Sequence, residues 1–301
     1  MRVAAIQTTA GPHRQANLDS AEALIEEAAG QGARLAVLPE YFSVAGSPRF
    51  LRENAETLDG PTVTWASRVA KRLGIWLLAG SIPERPEEVA GEHSGDSARL
   101  FNTSCLINPQ GDVSAAYRKI HLFDISLTAT RYSESATIAP GSALSVTPLG
   151  DSPHGTPNTP PILGLSICYD LRFPEVYRIM TLLGSTIIAV PAAFTAATGP
   201  AHWELLLRAR AVENQVFVIG AGQVGELPPG MPAAHGHSMV IDPWGSILAE
   251  RKDPNPGIVV ADLDFSQQER IRTEIPVLAN RRPEAYRWPH AGPADSAEQS
   301  H

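Results

Sequence analysis

In three segments of this sequence, an apolar run leads to a side chain that could take part in a chemical reaction. Glu40 follows Leu35-Ala-Val-Leu-Pro39, Lys119 lies inside Tyr117-Arg-Lys-Ile-His121-Leu-Phe-Asp124, and Cys168 follows Leu163-Gly-Leu-Ser-Ile. A buried strand that ends in a reactive residue puts that residue at the rim of a sheet, where loops converge. A carboxylate, an ammonium and a thiol that meet there would make a nucleophilic amidase without a histidine.

Plainer interpretations exist for two of the three residues. Taken alone, Glu40 is more readily a surface glutamate that begins a loop. Strand alternation puts Lys119 on one face with Tyr117 and His121, where it needs a carboxylate partner or a substrate oxygen. It could equally be a lysine that extends from an edge strand into water.

Cys168 has the most specific surroundings. A turn, Tyr169-Asp-Leu-Arg172-Phe, separates it from Pro174, which suits the first turn of a helix. This order is typical of a nucleophile elbow, which exposes the side chain and aims backbone N–H groups in front of it. The nearby helix terminus would favour a thiolate. A buried core cysteine is the usual alternative, and it fits Cys105 better.

Alternating apolar and amphipathic runs predict the elements that position these residues. The expected fold class is α/β, a four-layer α-β-β-α sandwich with mixed sheets. The predicted helices are Asn17–Ala29, Val63–Leu73, Pro174–Leu183, His202–Asn214 and Ser266–Ile275. The predicted strands are Arg2–Gln7, Leu35–Pro39, Ile75–Ile82, Leu100–Asn108, Val113–His121, Pro161–Ile167, Thr186–Val190, Val216–Ala221, His237–Ile241, Ser246–Glu250 and Ile258–Leu263.

Turns and loops complete this outline. Asn108-Pro-Gln-Gly111 and Asp242-Pro-Trp-Gly245 predict two β-hairpins. Residues 85–99 and 150–160 are expected to be surface insertions. Residues 1–288 are expected to form a single domain, and the polar tail 289–301 to be disordered.

Composition narrows the function classes. The 301 residues carry 24 Lys and Arg against 32 Asp and Glu, a formal charge of −8. With 43% hydrophobic and 19% charged residues the chain is an ordinary globular protein. Its acidic balance argues against nucleic acid and membrane partners. Two cysteines and an N-terminus without a signal-peptide pattern favour a reducing, cytoplasmic location.

Two other motifs fail on inspection. Gly220-Ala-Gly222-Gln-Val-Gly225 matches a dinucleotide fingerprint, but the prolines that follow exclude the helix that such a site requires. His235 and His237 come without further ligands in a metal-site spacing. We therefore expect no cofactor and no metal.

Taken together, the motifs resemble those of the nitrilase (carbon–nitrogen hydrolase) superfamily, whose catalytic triad is Glu-Lys-Cys. The resemblance covers nearly all of residues 1–288. It rests on these segments, in order: Leu38-Pro-Glu40, Tyr117-Arg-Lys-Ile-His-Leu-Phe-Asp124, Tyr132-Ser-Glu134-Ser135, Cys168-Tyr-Asp-Leu-Arg-Phe-Pro-Glu175, Pro191-Ala-Ala-Phe194, Thr198-Gly-Pro-Ala-His-Trp-Glu204, Arg208-Ala-Arg-Ala-Val-Glu-Asn214 and Gly236-His-Ser-Met-Val-Ile-Asp-Pro-Trp-Gly245.

The resemblance implies a role for each matching residue. Glu40 would be the general base and acid, and Cys168 the nucleophile that forms a thioester. Lys119 and the backbone N–H of Tyr169 would hold the oxyanion, and Glu134 would orient the lysine and the substrate amide.

Further residues are expected around the substrate. Arg172 would bind a substrate carboxylate or, equally well, pair with Glu175. Phe194 and Thr195 would line the pocket, and Trp203 would serve packing or an interface.

The resemblance also implies a substrate class and an assembly. The pattern around Cys168 resembles the branch that cleaves amides of small carboxylic acids. Deaminated glutathione is the expected substrate, and 2-oxoglutaramate or an N-carbamoyl amino acid is the alternative. An inactive binding protein on this fold is a further alternative, and an oxidoreductase would rest on the rejected glycine motif alone.

The helices Pro174–Leu183 and His202–Asn214 are expected to pair two copies into a homodimer or a higher oligomer.

Overall fold

The structure is a computed structural model that describes residues 1–86, 99–127, 130–150 and 160–285. Most of the two expected insertions, and the expected tail 289–301, therefore lie outside the described residues. In chain order the helices are α1 Arg14–Gly30, α2 Pro48–Glu53, α3 Pro61–Leu73, α4 Pro174–Leu182, α5 Gly199–Asn214 and α6 Phe265–Glu274.

The strands form two large sheets and two small hairpins. They are β1 Arg2–Gln7, β2 Leu35–Val37, β3 Trp76–Leu78, β4 Ile82–Glu84, β5 Phe101–Ile107, β6 Val113–Arg118, β7 Asp124–Leu127, β8 Thr130–Ser133, β9 Ser145–Pro148, β10 Ile162–Leu165, β11 Ile187–Ala192, β12 Phe217–Gly222, β13 Val224–Gly225, β14 Ala234–His235, β15 Met239–Ile241, β16 Ile247–Glu250 and β17 Gly257–Asp262.

Each large sheet mixes parallel and antiparallel pairs. The first sheet has the order β17-β1-β2-β3-β5-β4, with β6 also paired to β5, and the second has the order β16-β15-β12-β11-β10-β9. The parallel pairs β1–β2–β3 and β10–β11–β12 lie at the centres. Carboxyl ends of parallel strands share one edge, and Glu40 and Cys168 both follow such ends.

The core has the layers that the sequence predicts. Alternate residues of the first sheet, such as Val37 and Leu78, pack against second-sheet residues such as Leu165. Their neighbours, such as Ala36 and Leu77, pack against helices α1 and α3 instead. On the far side Trp203 of α5 packs on the second sheet. The four-layer α-β-β-α architecture is therefore confirmed.

Most predicted elements are present, and the differences have physical causes. All five predicted helices and both predicted hairpins are found, while α2 was not predicted. The strand predicted at Ile75–Ile82 is two strands, because the chain bends at Gly80. The strand predicted to reach His121 ends at Arg118, so Lys119 lies just beyond it. In the rejected glycine motif, Gly220 allows close packing of Trp203 and Leu207.

Gly80 is the tightest point of the backbone around Glu40. Its φ is +36°, and a Cβ there would overlap the carbonyl oxygen of Pro39. Gly74, which caps α3, has a φ of +64°, but a Cβ added there would have no neighbouring atom within 4 Å. The two glycines therefore share a left-handed backbone and differ in the space around them.

Alanine at these two positions should separate strain from steric overlap. We expect Gly74→Ala to lower the free energy of unfolding by about 1–2 kcal/mol, the cost of a left-handed non-glycine residue. Gly80→Ala should lower the free energy of unfolding by clearly more than this, because the Pro39 backbone must also move to make room for the new Cβ. Denaturant midpoints of the two variants measure this difference, and equal losses would contradict the close approach.

Candidate active site

Glu40 lies three residues beyond β2 and joins the two sheets. Its side chain is buried. One carboxylate oxygen, Oε1, accepts hydrogen bonds from Lys119 Nζ at 2.9 Å and from Asn102 Nδ2 at 2.8 Å, both from the first-sheet side. The other, Oε2, accepts from the backbone N–H of Ala193, just past β11 of the second sheet, at 2.8 Å. Glu40 is therefore not the surface residue that it resembles when taken alone.

Lys119 is a fully buried ammonium between two carboxylates. Besides Glu40, its Nζ contacts Glu134 Oε2 at 2.8 Å and Oε1 at 3.2 Å. Burial by itself would disfavour the charged form, but Glu134 and then Glu40 outweigh it and hold the pKa of Lys119 well above its ordinary value. Lys119 therefore stays protonated and acts as a charged hydrogen-bond donor, not as a base or as a solvent-exposed edge lysine.

Glu134 is fixed by the backbone as well as by Lys119. It begins a 3-10 turn, Glu134–Ala136, directly after β8. Its Oε2 accepts the backbone N–H of Phe123 at 2.7 Å, and its Oε1 accepts Asn102 Nδ2 at 3.1 Å. The carboxylate therefore has one orientation, which holds Lys119 in place.

Cys168 follows β10 in a strained turn. Its φ is +46°, and a 3-10 turn, Cys168–Arg172, leads into α4. Burial, and then the neighbouring Glu40, raises the pKa of the Cys168 thiol well above its ordinary value, although Lys119 opposes this. The expectation of a thiolate stabilised by a helix terminus is therefore wrong. The raised pKa favours a neutral thiol at Cys168, with the Glu40 carboxylate beside it.

Asn102 is a site residue that the sequence analysis missed. It lies within the buried strand β5, and its Nδ2 bridges Glu40 and Glu134 while its Oδ1 has no hydrogen-bond partner among the described residues. The available signal was an amide within the predicted strand Leu100–Asn108, where a buried polar side chain needs hydrogen-bond partners. Gln223 was missed as well. Its Nε2 donates to the backbone oxygen of Glu40 at 3.1 Å.

A small cavity opens in front of Cys168. It is lined by Phe123, Cys168, Tyr169, Arg172, Ala193, Phe194, Thr195 and Thr198. The structure thus brings the three expected pocket residues, Arg172, Phe194 and Thr195, together with the thiol. Thr195 Oγ1 lies 2.9 Å from Thr198 Oγ1, and Phe194 packs on Trp203 with ring centroids 5.1 Å apart.

Arg172 has no carboxylate partner among the described residues, so the pairing with Glu175 is not formed. Its two terminal nitrogens each lie 3.4 Å from His202 Nδ1, and its guanidinium lies over the Phe194 ring at 5.2 Å. Trp203 is fully buried and donates to the backbone oxygen of His237 at 2.8 Å. Of the two roles expected for Trp203, the structure therefore supports packing.

One group of potential metal ligands occurs among the described residues. Side-chain atoms of Glu204, His237 and Glu250 lie within 4.8 Å of one another. Glu250 is already bound by His237 Nε2 at 2.9 Å and by Lys252 Nζ at 2.7 Å. These contacts account for the group, so we assign no metal to it. In the part of the chain that the structure describes, no helix is long and apolar enough to cross a bilayer.

The neutral state of Cys168 can be tested by alkylation. With iodoacetamide at neutral pH we expect Cys168 to react, because it lines the cavity and has Glu40 beside it. Cys105 should remain unmodified, because it lies inside the buried strand β5 and burial raises its pKa to about 12. Glu40→Gln should slow the reaction of Cys168 by about 100-fold, the usual worth of a positioned base. Peptide mass spectrometry over time measures both rates.

The control is Glu56→Gln, which changes a buried carboxylate that accepts the backbone N–H of Thr62 at 2.8 Å. It should leave the alkylation rate of Cys168 unchanged. Faster alkylation in Glu40→Gln would instead mean that Cys168 rests as a thiolate that Glu40 destabilises.

Comparisons with known proteins agree with this site. The carbon-nitrogen hydrolase family matches residues 2–273. Deaminated glutathione amidase of Bos taurus is 38% identical over 286 residues, which cover 94% of this chain and 83% of that protein. Omega-amidase NIT2 of Danio rerio is also 38% identical over 286 residues, with 95% and 96% covered.

A solved structure shows the same fold. Saccharomyces cerevisiae Nit3, a member of branch 10 of the nitrilase superfamily, superposes with a TM-score of 0.79 at 32% identity, covering 94% of this chain and 96% of that one. A shared fold, a family match along most of the chain and a buried carboxylate–ammonium–thiol cluster lead to one conclusion. This chain belongs to the carbon–nitrogen hydrolase family and is an amidase of the nitrilase superfamily.

Proposed function

We propose that this amidase cleaves the γ-amide of deaminated glutathione, releasing 2-oxoglutarate and cysteinylglycine. The observation that carries the proposal is Arg172, whose guanidinium lines the cavity in front of Cys168 without a carboxylate partner among the described residues. A guanidinium binds a carboxylate through two parallel hydrogen bonds, and the 2-oxo acid end of this substrate supplies one. The similarity to deaminated glutathione amidases supports the same substrate.

The reaction begins at the neutral thiol. Glu40 takes the proton of Cys168 as the sulfur attacks the amide carbonyl carbon. The carbonyl oxygen gains negative charge, and Lys119 together with the backbone N–H of Tyr169 stabilises it. The raised pKa of Lys119 supports this role, because the ammonium cannot lose its proton to the substrate.

The second half of the reaction reuses the same groups. Glu40 gives its proton to the departing amine, and the C–N bond breaks to leave a thioester on Cys168. A water molecule then loses a proton to Glu40 and attacks the thioester carbonyl. The C–S bond breaks, the acid is released, and Glu40 returns the proton to the Cys168 sulfur. Glu134 and Asn102 hold Lys119 and Glu40 in position through both halves. Phe194 and Thr195 contact the acyl group.

A second candidate substrate is 2-oxoglutaramate, whose hydrolysis gives 2-oxoglutarate and ammonia. The similarity to an omega-amidase favours it. Both candidates share the acyl half and differ in the leaving group. An N-carbamoyl amino acid is a third candidate, and an inactive binding protein is the alternative that any measured turnover excludes.

The two main substrates should be compared by the product that they share. We expect 2-oxoglutarate formation from both, with the higher kcat/KM for deaminated glutathione, and none with Cys168→Ala. In the same assay Arg172→Leu should raise KM by about 10–100-fold with little change in kcat, the worth of a hydrogen bond to a charged group.

Each outcome has a distinct meaning. A higher kcat/KM for 2-oxoglutaramate would make the protein an omega-amidase. Turnover of neither substrate, with Cys168 still alkylated, would overturn both substrates and leave the cysteine chemistry standing. An unchanged KM in Arg172→Leu would remove the carboxylate role of Arg172.

We further propose that two copies pair through α4 and α5, each a single domain of residues 1–288. Apolar side chains on the outer faces of these helices are exposed in the single chain, namely Ile179, Leu182, Leu183, Leu205 and Val212. Such a cluster is unusual on a monomer and is typical of an interface. A reducing, cytoplasmic location would suit an enzyme that depends on a free thiol.

Sedimentation velocity tests the pairing. We expect the wild type to sediment as a dimer or a higher oligomer and Leu183→Glu, which changes a side chain that is 59% exposed, to sediment as a smaller species. Leu248→Glu, at a side chain that is 39% exposed on β16, is the matched control and should behave as the wild type does. A monomeric wild type would contradict the proposal.

A further inference from the structure

Asp170 is a fully buried carboxylate that the reaction described above does not use. It lies two residues after Cys168, inside the 3-10 turn. In the described part of the chain its one partner that can carry positive charge is His121. A buried carboxylate without a lysine or arginine is costly, so the hydrogen bonds around it have to compensate.

Four hydrogen bonds converge on this carboxylate. Oδ2 accepts from the Tyr117 hydroxyl at 2.7 Å and from the backbone N–H of Ile167 at 2.9 Å. Oδ1 accepts from the backbone N–H of His121 at 3.0 Å and contacts His121 Nδ1 at 2.8 Å. Because a carboxylate only accepts, Nδ1 of His121 carries a hydrogen in this contact.

The positions of these partners are informative. Tyr117 precedes Lys119 by two residues and His121 follows it by two, while Ile167 directly precedes Cys168. One carboxylate therefore binds the chain on both sides of the oxyanion-binding ammonium and next to the nucleophile. Lys119 follows β6 of the first sheet and Cys168 follows β10 of the second, and among the described residues Asp170 connects the two segments by side-chain hydrogen bonds.

The backbone around Cys168 needs such a constraint. A non-glycine residue in the left-handed region is strained and persists only where its surroundings enforce it. The turn closes on itself through the Asp170 side chain on the Ile167 N–H and through the Asp170 N–H on the Ile167 carbonyl at 3.0 Å. The same side chain then ties this turn to the Lys119 segment.

We propose that Asp170 is a positioning residue that sets the distance and angle between the Cys168 thiol and the Lys119 ammonium. It touches neither substrate nor reacting atoms and acts through the two segments that it joins. Displacing a reacting group by about 1 Å can cost about 100-fold in rate. The expected signature is therefore a loss in kcat with little change in KM. This inference rests on the proposed roles of Cys168 and Lys119.

Asp170→Asn is the principal test. The new amide keeps one acceptor oxygen but puts an NH2 group where the carboxylate accepted hydrogen bonds. We expect kcat to fall by about 100-fold while KM stays within about threefold, with the same fall in the rate of thioester formation. Tyr117→Phe, which removes one of the four bonds and no charge, should lower kcat by about tenfold.

Asp242→Asn is the matched control. Asp242 is also a buried carboxylate, and it accepts the backbone N–H groups of Trp244 at 2.9 Å and Ser246 at 2.8 Å in the hairpin between β15 and β16. We expect it to lower the melting temperature as much as Asp170→Asn does and to leave kcat unchanged. Melting temperatures and kcat are measured on all variants together.

The possible outcomes decide the proposal. A lower melting temperature in Asp170→Asn with wild-type kcat would make Asp170 merely structural and overturn the proposal. If Asp170→Asn fails to fold, Tyr117→Phe decides, and an unchanged kcat there also overturns it. If the wild type hydrolyses no substrate, the proposed function has failed, and the iodoacetamide rate at Cys168 replaces kcat. A rate equal to wild type in both variants would then overturn the positioning role.

Discussion

The structure depends above all on one buried ion cluster, in which the Lys119 ammonium is held between the carboxylates of Glu40 and Glu134. Removing three charges from water costs several kcal/mol per ion. The attraction between the charges offsets this cost only when the remaining hydrogen bonds of the charged groups are also made. Asn102, the Phe123 N–H and the Ala193 N–H supply those bonds. The cluster therefore needs strands, loops and both sheets to be in place at once.

Two strained backbone positions adjoin this cluster. Cys168 has a φ of +46°, and Tyr41, the residue directly after Glu40, has a φ of +53°. The Tyr41 N–H donates to Ser81 Oγ at 3.1 Å, next to the close approach at Gly80. Strained backbone positions of this kind are found where a side chain has to point in a direction that a regular helix or strand does not allow. The Cys168 thiol is carried by such a position, and the Glu40 carboxylate lies next to one.

The sequence was sufficient to predict the layers and to identify Glu40, Lys119 and Cys168 as residues that the fold brings together, because both follow from local patterns. Apolar runs that end in Glu40 and Cys168 identify strand ends, and helical periodicity identifies α1, α3, α4, α5 and α6. Lys119 was predicted on a strand and lies just past one. Its side chain contacts Glu40 and Glu134, while the side chains of Tyr117 and His121 both contact Asp170.

Other features depend on contacts between distant segments and could not be read locally. The protonation of Cys168 was predicted in the wrong direction, because helix proximity is visible in the sequence while burial and the charge of Glu40 are not. Asn102 was missed because its two acceptors come from other parts of the chain, Glu40 and Glu134. Arg172 allowed two interpretations, and only the spatial arrangement showed His202 instead of Glu175 beside it.

The hydrogen bonds of Glu40 have a consequence for how this protein can vary. Its two oxygens are bound from opposite sheets, by Lys119 on one side and by the Ala193 N–H on the other. The spacing between the sheets is set by core side chains such as Val37 and Leu165. These side chains are closely packed, so a change in the volume of one displaces its neighbours. A change in side-chain volume that altered this spacing would move the Glu40 carboxylate relative to its partner on one of the two sheets. The packing of the apolar core therefore helps to set where this carboxylate lies.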